Sequence, residues 1–132
     1  MDSETTNPKR PTTYQLIPLL RSEGLAIGLA SIVAYASLGQ SWTLFAIFFL
    51  APDLAMVGYA FGNRVGAITY NAMHSYIGPA AVGTISGLVG WSEVIALVTI
   101  WIAHIGLDRA FGYGLKHRSG FRTTHLALPV LQ

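Results

Sequence analysis

Two histidines and two aspartates stand inside apolar stretches of this sequence, where ionisable side chains are costly and usually functional. Asp53 follows Pro52 in FFLAPDLAMVG, and His74 lies in YNAMHSYIGP. His104 and Asp108 are four residues apart in WIAHIGLDRAFGYG, which places them on one face of a helix. Imidazole and carboxylate groups together bind Zn, Fe or Mn, and helical bundles build such sites from inward-facing side chains. We therefore predict a divalent metal site whose ligands are Asp53, His74, His104 and Asp108.

Other polar residues extend this prediction toward catalysis. A bound metal ion lowers the pKa of water to about 7 and so supplies hydroxide at neutral pH. Glu23 is predicted to be a further ligand or the general base. Three cationic side chains are predicted to bind a phosphate or carboxylate group of a lipid-borne or amphipathic substrate: Arg64, Arg109 and Lys116. Arg109 has a simpler interpretation, in which it only reaches lipid phosphates at a membrane surface.

Three alternatives remain open from the sequence. The same polar side chains, together with Asn71, can hydrogen-bond between helices and do no more than fix their packing. His74 and His104 can instead ligate a haem or chlorin as an imidazole pair. The protein can also be a non-catalytic subunit of a larger membrane assembly. Each alternative keeps the two histidines inside the bundle and differs in what they bind.

The elements that must hold these residues are predicted to be membrane spans. Charged residues make up 11% of the 132 residues, against about 25% in soluble proteins, and hydrophobic residues make up 52%. The mean hydropathy is +0.50. Since about 20 apolar residues cross a bilayer, four spans are predicted, at residues 18–38, 42–61, 65–89 and 92–111. The short connections between them predict an all-α, up-down-up-down four-helix bundle.

The basic residues give this bundle a direction. All eight lie on one side of the four-span arrangement: Lys9, Arg10, Arg21, Arg64, Arg109, Lys116, Arg118 and Arg122. The positive-inside rule makes that side cytoplasmic, so we predict a bacterial inner-membrane protein with both termini in the cytoplasm. Residues 1–13 are predicted to be a disordered polar tail, residues 14–114 the bundle, and residues 115–132 a basic tail along the cytoplasmic interface.

Composition also limits the partners. The chain has no cysteine, which excludes disulfides and thiolate metal ligands. Its net charge of +2, without a basic face of interleaved aromatics, argues against binding to nucleic acid. The predicted partners are the lipid bilayer and, within it, other membrane subunits or further copies of this chain.

Several longer blocks resemble the signature blocks of a small bacterial integral-membrane family of unknown function. They are LLRSEG, FFLAPDLAMVGYAFG, YNAMHSYIGP and HIGLDRAFGYGLKHRSGFRTTHL, and they lie between residues 19 and 126. The resemblance implies the fold and the membrane location, because no activity is established for that family.

A second resemblance concerns the order of the polar residues. A Pro-Asp pair in one helix, a later histidine, and then HxxxD before a glycine-rich turn are similar to membrane-bound metal-dependent hydrolases. That resemblance implies that the metal ligands are Asp53, His74, His104 and Asp108.

Overall fold

The computed structural model describes residues 13–118, 121 and 124–126, and every regular element in this part of the chain is helical. The elements in chain order are α1 (Thr13–Ser37), α2 (Trp42–Phe49), a 3₁₀ helix (Ala51–Phe61), α3 (Asn63–His74), α4 (Ile77–Val89) and α5 (Ser92–Phe111). The predicted all-α class is confirmed. Residues 1–12 of the predicted polar tail lie outside the described residues, as does Arg122, and α1 begins at Thr13.

Three helical segments are long and apolar enough to cross a membrane: Leu16–Ser37, Trp42–Phe61 and Ser92–Phe111. Their outward side chains are apolar and largely exposed; Val33, Leu54 and Phe111 are 68%, 71% and 70% exposed. Exposed apolar surface on this scale is typical of contact with lipid rather than water. The helices therefore indicate a membrane protein.

The predicted third span at residues 65–89 is not a single helix, because the structure divides this stretch into α3 and α4. Ser75 between them has an extended backbone, with φ −97° and ψ 140°. Pro79 lies in the first turn of α4, where its missing N–H and fixed φ are tolerated. Trp101 Nε1 donates to the carbonyl of Met73 at 2.6 Å, so a tertiary contact satisfies a carbonyl beside the break.

The second predicted span changes helix type part-way. α2 ends at Phe49, and the next eleven residues form a 3₁₀ helix with Pro52 in its first turn. The amide of Asp53 donates to the carbonyl of Leu50 at 3.1 Å, an i to i+3 hydrogen bond. A 3₁₀ run of this length is uncommon, and such stretches often mark functional positions. Asp53 projects from this 3₁₀ helix.

α1 and α5 pack antiparallel over most of their length, and at one end the packing depends on glycine. Gly24 and Gly28 face Gly106 so closely that a Cβ on Gly106 would lie 2.6 Å from the Gly28 nitrogen and 2.7 Å from the Gly24 oxygen. Toward the other end, the buried side chains of Tyr35 and Ile100 share an apolar cluster with residues of α2. This pairing fixes the position of α5, which carries two of the predicted ligands.

After α5 the chain turns back and contacts α3. The side-chain amide of Asn71 pairs with the backbone of Lys116, accepting from its N–H at 2.7 Å and donating to its carbonyl at 2.8 Å. Lys116 also forms an isolated antiparallel bridge with Thr124. We call the described residues 115–118, 121 and 124–126 the C-terminal hairpin. The predicted location of residues 115–132 along the membrane interface stays a prediction.

Candidate metal centre

The structure brings together the four residues that the sequence predicted as metal ligands. Asp53 comes from the 3₁₀ helix, His74 is the last residue of α3, and the remaining two lie one turn apart on α5. One donor atom from each of the four lies within 4.8 Å of the others. We call this group the His/Asp cluster: Asp53, His74, His104 and Asp108.

The spacing of the donor atoms matches the coordination sphere of a small divalent ion. His74 Nε2 lies 3.1 Å from His104 Nε2. The distances from Asp53 Oδ1 to these two nitrogens are 3.3 and 3.5 Å, and Asp108 Oδ2 lies 3.5 Å from both. A tetrahedral ion with bonds of about 2.0–2.1 Å separates its ligands by about 3.3–3.4 Å. The cluster therefore has the donor types and the spacing to hold a metal ion.

His74 is oriented by two contacts from its own helix. Its Nδ1 lies 2.9 Å from the carbonyl of Tyr70, and a carbonyl can only accept, so Nδ1 carries the proton of the neutral ring. The Tyr70 ring stacks on the imidazole with centroids 3.7 Å apart and planes 8° apart. Metal-binding histidines typically donate their other nitrogen to a carbonyl or carboxylate in this way. The lone pair of Nε2 is thereby directed into the cluster.

His104 is packed tightly, and its ring also interacts with the backbone of Phe49. Its side chain is 2% exposed, and the Phe49 ring contacts its edge at a centroid distance of 5.2 Å. Its Nδ1 is buried and makes no hydrogen bond of standard geometry in the described residues. Asp108, one turn further along α5, shares its face as predicted.

Tyr70 is a part of the site that sequence reasoning missed. Besides contacting His74, its hydroxyl interacts with the carboxylate of Asp108. In the sequence Tyr70 resembles an ordinary packing or interface aromatic. The available signal was its position four residues before His74, which puts both rings on one face of α3.

A cavity of about 230 Å³ opens beside the cluster on the side of the carboxylates. The side chains of Asp53 and Asp108 are 33% and 22% exposed, whereas those of His74 and His104 are 4% and 2% exposed. The cavity is lined by both carboxylates and by Met56, Tyr70, Tyr113, Lys116 and Phe121. A ligand therefore reaches the cluster past the two aspartates, while the histidines form its closed side.

Lys116 is the cation of this cavity. Its side chain is 9% exposed, and its ammonium lies 5.0 Å from the centroid of the Tyr70 ring and 4.2 Å from that of Phe121. Burial lowers the pKa of Lys116, and the nearby charges of Asp108 and Asp53 oppose that change.

The other predicted site residues lie apart from the cluster. Glu23 is exposed on α1 and does not belong to it. Arg64 is exposed in the first turn of α3, and the guanidinium of Arg109 lies over the Tyr76 ring at 4.7 Å. Of the three cations predicted to bind substrate, the cavity lining includes Lys116 alone among the described residues. The roles predicted for Glu23, Arg64 and Arg109 stay predictions.

The chain also matches a known family. The family model of a domain of unknown function, DUF4260, matches residues 18–128. The chain belongs to this family. No curated protein and no solved structure matches it. The matched range of the DUF4260 domain contains all four residues of the His/Asp cluster, the cavity lining and the C-terminal hairpin, so the site is part of the family domain and not an addition to it.

Proposed function

We propose that this protein is a membrane-embedded, metal-dependent hydrolase that acts on a lipid-borne or amphipathic substrate. The observation that carries the proposal is the convergence of two imidazole nitrogens and two carboxylate oxygens, all within 4.8 Å of one another, beside an open cavity. The donor set suits Zn, Fe or Mn. The apolar helices around the site support a substrate that is itself in the membrane.

The geometry favours an ion over simple hydrogen bonding between helices. With the Nδ1 proton of His74 directed at Tyr70, neutral His74 presents a lone pair to the oxygens of Asp53 and Asp108. The lone pair of His74 Nε2 and the carboxylate oxygens of Asp53 and Asp108 repel one another unless a cation or a proton lies between them. A haem is disfavoured because both carboxylates occupy the space around the histidine nitrogens that a macrocycle needs.

The chemistry of the proposed hydrolysis follows from the residues at the open side. Asp53, His74, His104 and Asp108 would hold a divalent ion, which would supply a water whose pKa is lowered toward about 7. In the hydrolysis the water oxygen would bond to the electrophilic phosphorus or carbonyl carbon, the bond to the leaving oxygen would break, and that oxygen would take up a proton. Asp53 and Asp108 each direct one oxygen at the histidines, and Asp108 also interacts with the Tyr70 hydroxyl, so we assign the second oxygen of Asp53 as the acceptor of the water proton.

The proposal includes the membrane orientation. Arg21 Nε donates to the carbonyl of Ala110 at 2.8 Å, which places the start of α1 beside the end of α5. Arg109 and Lys116 lie at this same end, which we propose is cytoplasmic by the positive-inside rule. We propose four membrane crossings, with α3 and α4 together forming the third. Both termini are then cytoplasmic, in a bacterial inner membrane.

Metal analysis of the full chain purified in detergent tests the proposal. We expect about one Zn, Fe or Mn per chain, and strong depletion in the variants His104→Ala and Asp108→Asn. Glu93→Gln is a matched control, because Glu93 is an exposed carboxylate in the first turn of α5. The metal-loaded protein should hydrolyse phosphate or carboxylic esters in mixed micelles. Metal-free but folded wild-type protein would overturn the metal site, and metal without hydrolysis would leave a structural site in a non-catalytic subunit.

A further inference from the structure

Lys116 is a buried residue whose ammonium has no anionic partner at ion-pair distance among the described residues. The ion pairs of the described residues within 4.0 Å join only the two histidines to the two aspartates. The ammonium instead lies over the faces of Tyr70 and Phe121 and borders the cavity. Aromatic faces hold a cation in place but do not neutralise it. A donor of the ammonium that is not directed at a ring is therefore available to a ligand in the cavity.

The position of Lys116 is fixed through its backbone. Asn71 holds both the N–H and the carbonyl of Lys116, at 2.7 and 2.8 Å. Asn71 lies three residues before His74 on α3, so the same helix positions one cluster ligand and the residue that carries the ammonium. Lysine at this position is thus held beside the cluster and does not extend freely from the surface.

An anion in the cavity, either hydroxide from the activated water or an anionic group of the substrate, would balance the charge of Lys116. Two neutral imidazoles, two carboxylates and one divalent ion sum to zero, and Lys116 then adds one uncompensated positive charge. A buried, unpaired charge is costly. An anionic group that bridges the cluster and the ammonium removes this cost, and a phosphate has enough oxygen atoms to contact both.

The size and lining of the cavity limit the group that fits. A volume of about 230 Å³ lies below the range of about 300–1,000 Å³ that is usual for pockets enclosing a whole small molecule. The cavity is therefore suited to a headgroup rather than to a complete lipid. Met56, Tyr113 and Phe121 supply the apolar part of its wall.

We propose that Lys116 is a specificity-determining residue that binds a phosphate group of the substrate beside the His/Asp cluster. This inference rests on the proposed metal-dependent function and names the substrate class, which is a phosphorylated amphiphile. The ammonium acts as a point charge with several donors, a mode in which lysine commonly binds phosphate.

Binding of inorganic phosphate to the metal-loaded full chain tests this inference. Lys116→Gln should weaken phosphate binding at least about tenfold, the scale of a lost charged hydrogen bond, while the metal content stays unchanged. Lys116→Arg should retain most of the binding. Arg118→Gln is the matched control, because Arg118 is an exposed cation two residues further on and should have no effect. Unchanged binding in Lys116→Gln would overturn the inference.

A second measurement on wild-type protein does not depend on any variant folding. With Mn²⁺ in the site, the phosphorus relaxation of added inorganic phosphate should be strongly enhanced, and Zn²⁺ should abolish the enhancement. Lack of enhancement in a protein that holds Mn²⁺ would overturn the inference and leave the metal site intact. A wild-type protein that binds no metal would instead overturn the proposed function.

Measuring the binding of inorganic phosphate in nanodiscs distinguishes a lipid phosphate from a soluble one as the natural ligand. Phosphatidic acid in the disc should displace inorganic phosphate from the wild-type protein, and phosphatidylcholine alone should not. If soluble glycerol phosphate displaces inorganic phosphate and phosphatidic acid does not, the phosphate belongs to a soluble substrate. That result would contradict the inference that the substrate is an amphiphile.

Discussion

His74 and His104 meet with their Nε2 atoms 3.1 Å apart, although they lie on different helices and 30 residues apart in sequence. The two rings are tilted by 63°, so both nitrogens point toward a common region that also contains the carboxylates of Asp53 and Asp108. Such an approach is unfavourable for two neutral imidazoles unless one shares a proton with the other or both share an ion. Metal affinity is therefore the quantity to measure in variants of the residues around the cluster.

Tyr70→Phe should weaken metal binding although it removes none of the four ligands. The substitution keeps the ring that stacks on His74 and the backbone carbonyl that accepts from its Nδ1, and it deletes the hydroxyl that interacts with Asp108. Loss of an outer contact of this kind costs about 10–100-fold in metal affinity. Competition with a chromophoric zinc chelator measures the change.

Tyr113→Phe is the control for this prediction, because Tyr113 lines the same cavity but is 58% exposed and lies outside the cluster. Its zinc affinity should match that of the wild type. Equal affinities for both phenylalanine variants and the wild type would show that the Tyr70 hydroxyl does not support Asp108.

The sequence predicted the cluster because its signals are local or follow from depth in the membrane. His104 and Asp108 share a face through their i, i+4 spacing, and this is observed. Asp53 and His74 were expected to meet them because they lie at similar distances from the ends of apolar stretches. The depth of a residue in a span gives its position across the membrane but not the side of the helix on which its side chain lies. For this reason Glu23 is predicted to join the cluster, whereas the structure places it exposed on α1.

The helix breaks and the C-terminal hairpin depend on contacts that no local pattern contains. The end of α3 is supported by Trp101, whose indole contacts the Met73 carbonyl from 28 residues away. Asn71 and Lys116 are paired across 45 residues. Periodicity describes one helix at a time, so it could predict a third span from composition but not its division at Ser75.

Gly106→Ala should destabilise the protein by separating α1 from α5. The new methyl group would lie 2.6 Å from the Gly28 nitrogen and 2.7 Å from the Gly24 oxygen, and these backbone atoms cannot rotate away. Overpacking of this kind costs about 1–3 kcal/mol. Thermal unfolding in detergent should show a lower midpoint.

Gly87→Ala in α4 provides the matched comparison, because no other part of the structure lies within 4 Å of the added methyl group. Alanine is favoured over glycine inside a helix by about 1 kcal/mol, so this variant should be as stable as the wild type or more stable. Similar losses in both variants would mean that the close approach of α1 and α5 does not determine stability.

Acid should open the C-terminal hairpin through His125. Burial lowers the pKa of His125, and the charge of Arg109 lowers it further. His125 Nδ1 accepts from the amide of Leu115 at 2.8 Å, which requires that this nitrogen carry no proton. The open form therefore binds a proton more readily, so the hairpin's stability is full above about pH 6.5 and is lost as the pH falls through the lowered pKa.

Hydrogen exchange at the Leu115 amide, corrected for the intrinsic effect of pH, measures this opening. Protection should fall between about pH 7.5 and pH 5. His125→Gln removes the titrating group, so its remaining protection should not change over this interval. An equal pH dependence in both proteins would assign the effect to another group and contradict the prediction.

The number of membrane crossings can be tested with single cysteines, since the natural chain has none. Gln40 and Ser92 are exposed at the two connections that should face outward, and Arg118 is exposed in the C-terminal hairpin. Gly39 and Gly90 are poorer positions because their φ values of 67° and 75° strain any other residue. Cysteines at these three positions should react differently with an impermeant thiol reagent in intact cells.

Four crossings require that α3 and α4, of 12 and 13 residues, together pass through the bilayer. At about 1.5 Å per residue their combined length of about 37 Å is sufficient for a hydrocarbon core of about 30 Å, whereas α4 alone is too short. Cysteines at Gln40 and Ser92 should then both be labelled, and a cysteine at Arg118 should be protected. Labelling at Gln40 and Arg118 with protection at Ser92 would contradict four crossings, and it would also contradict the antiparallel packing of α1 against α5.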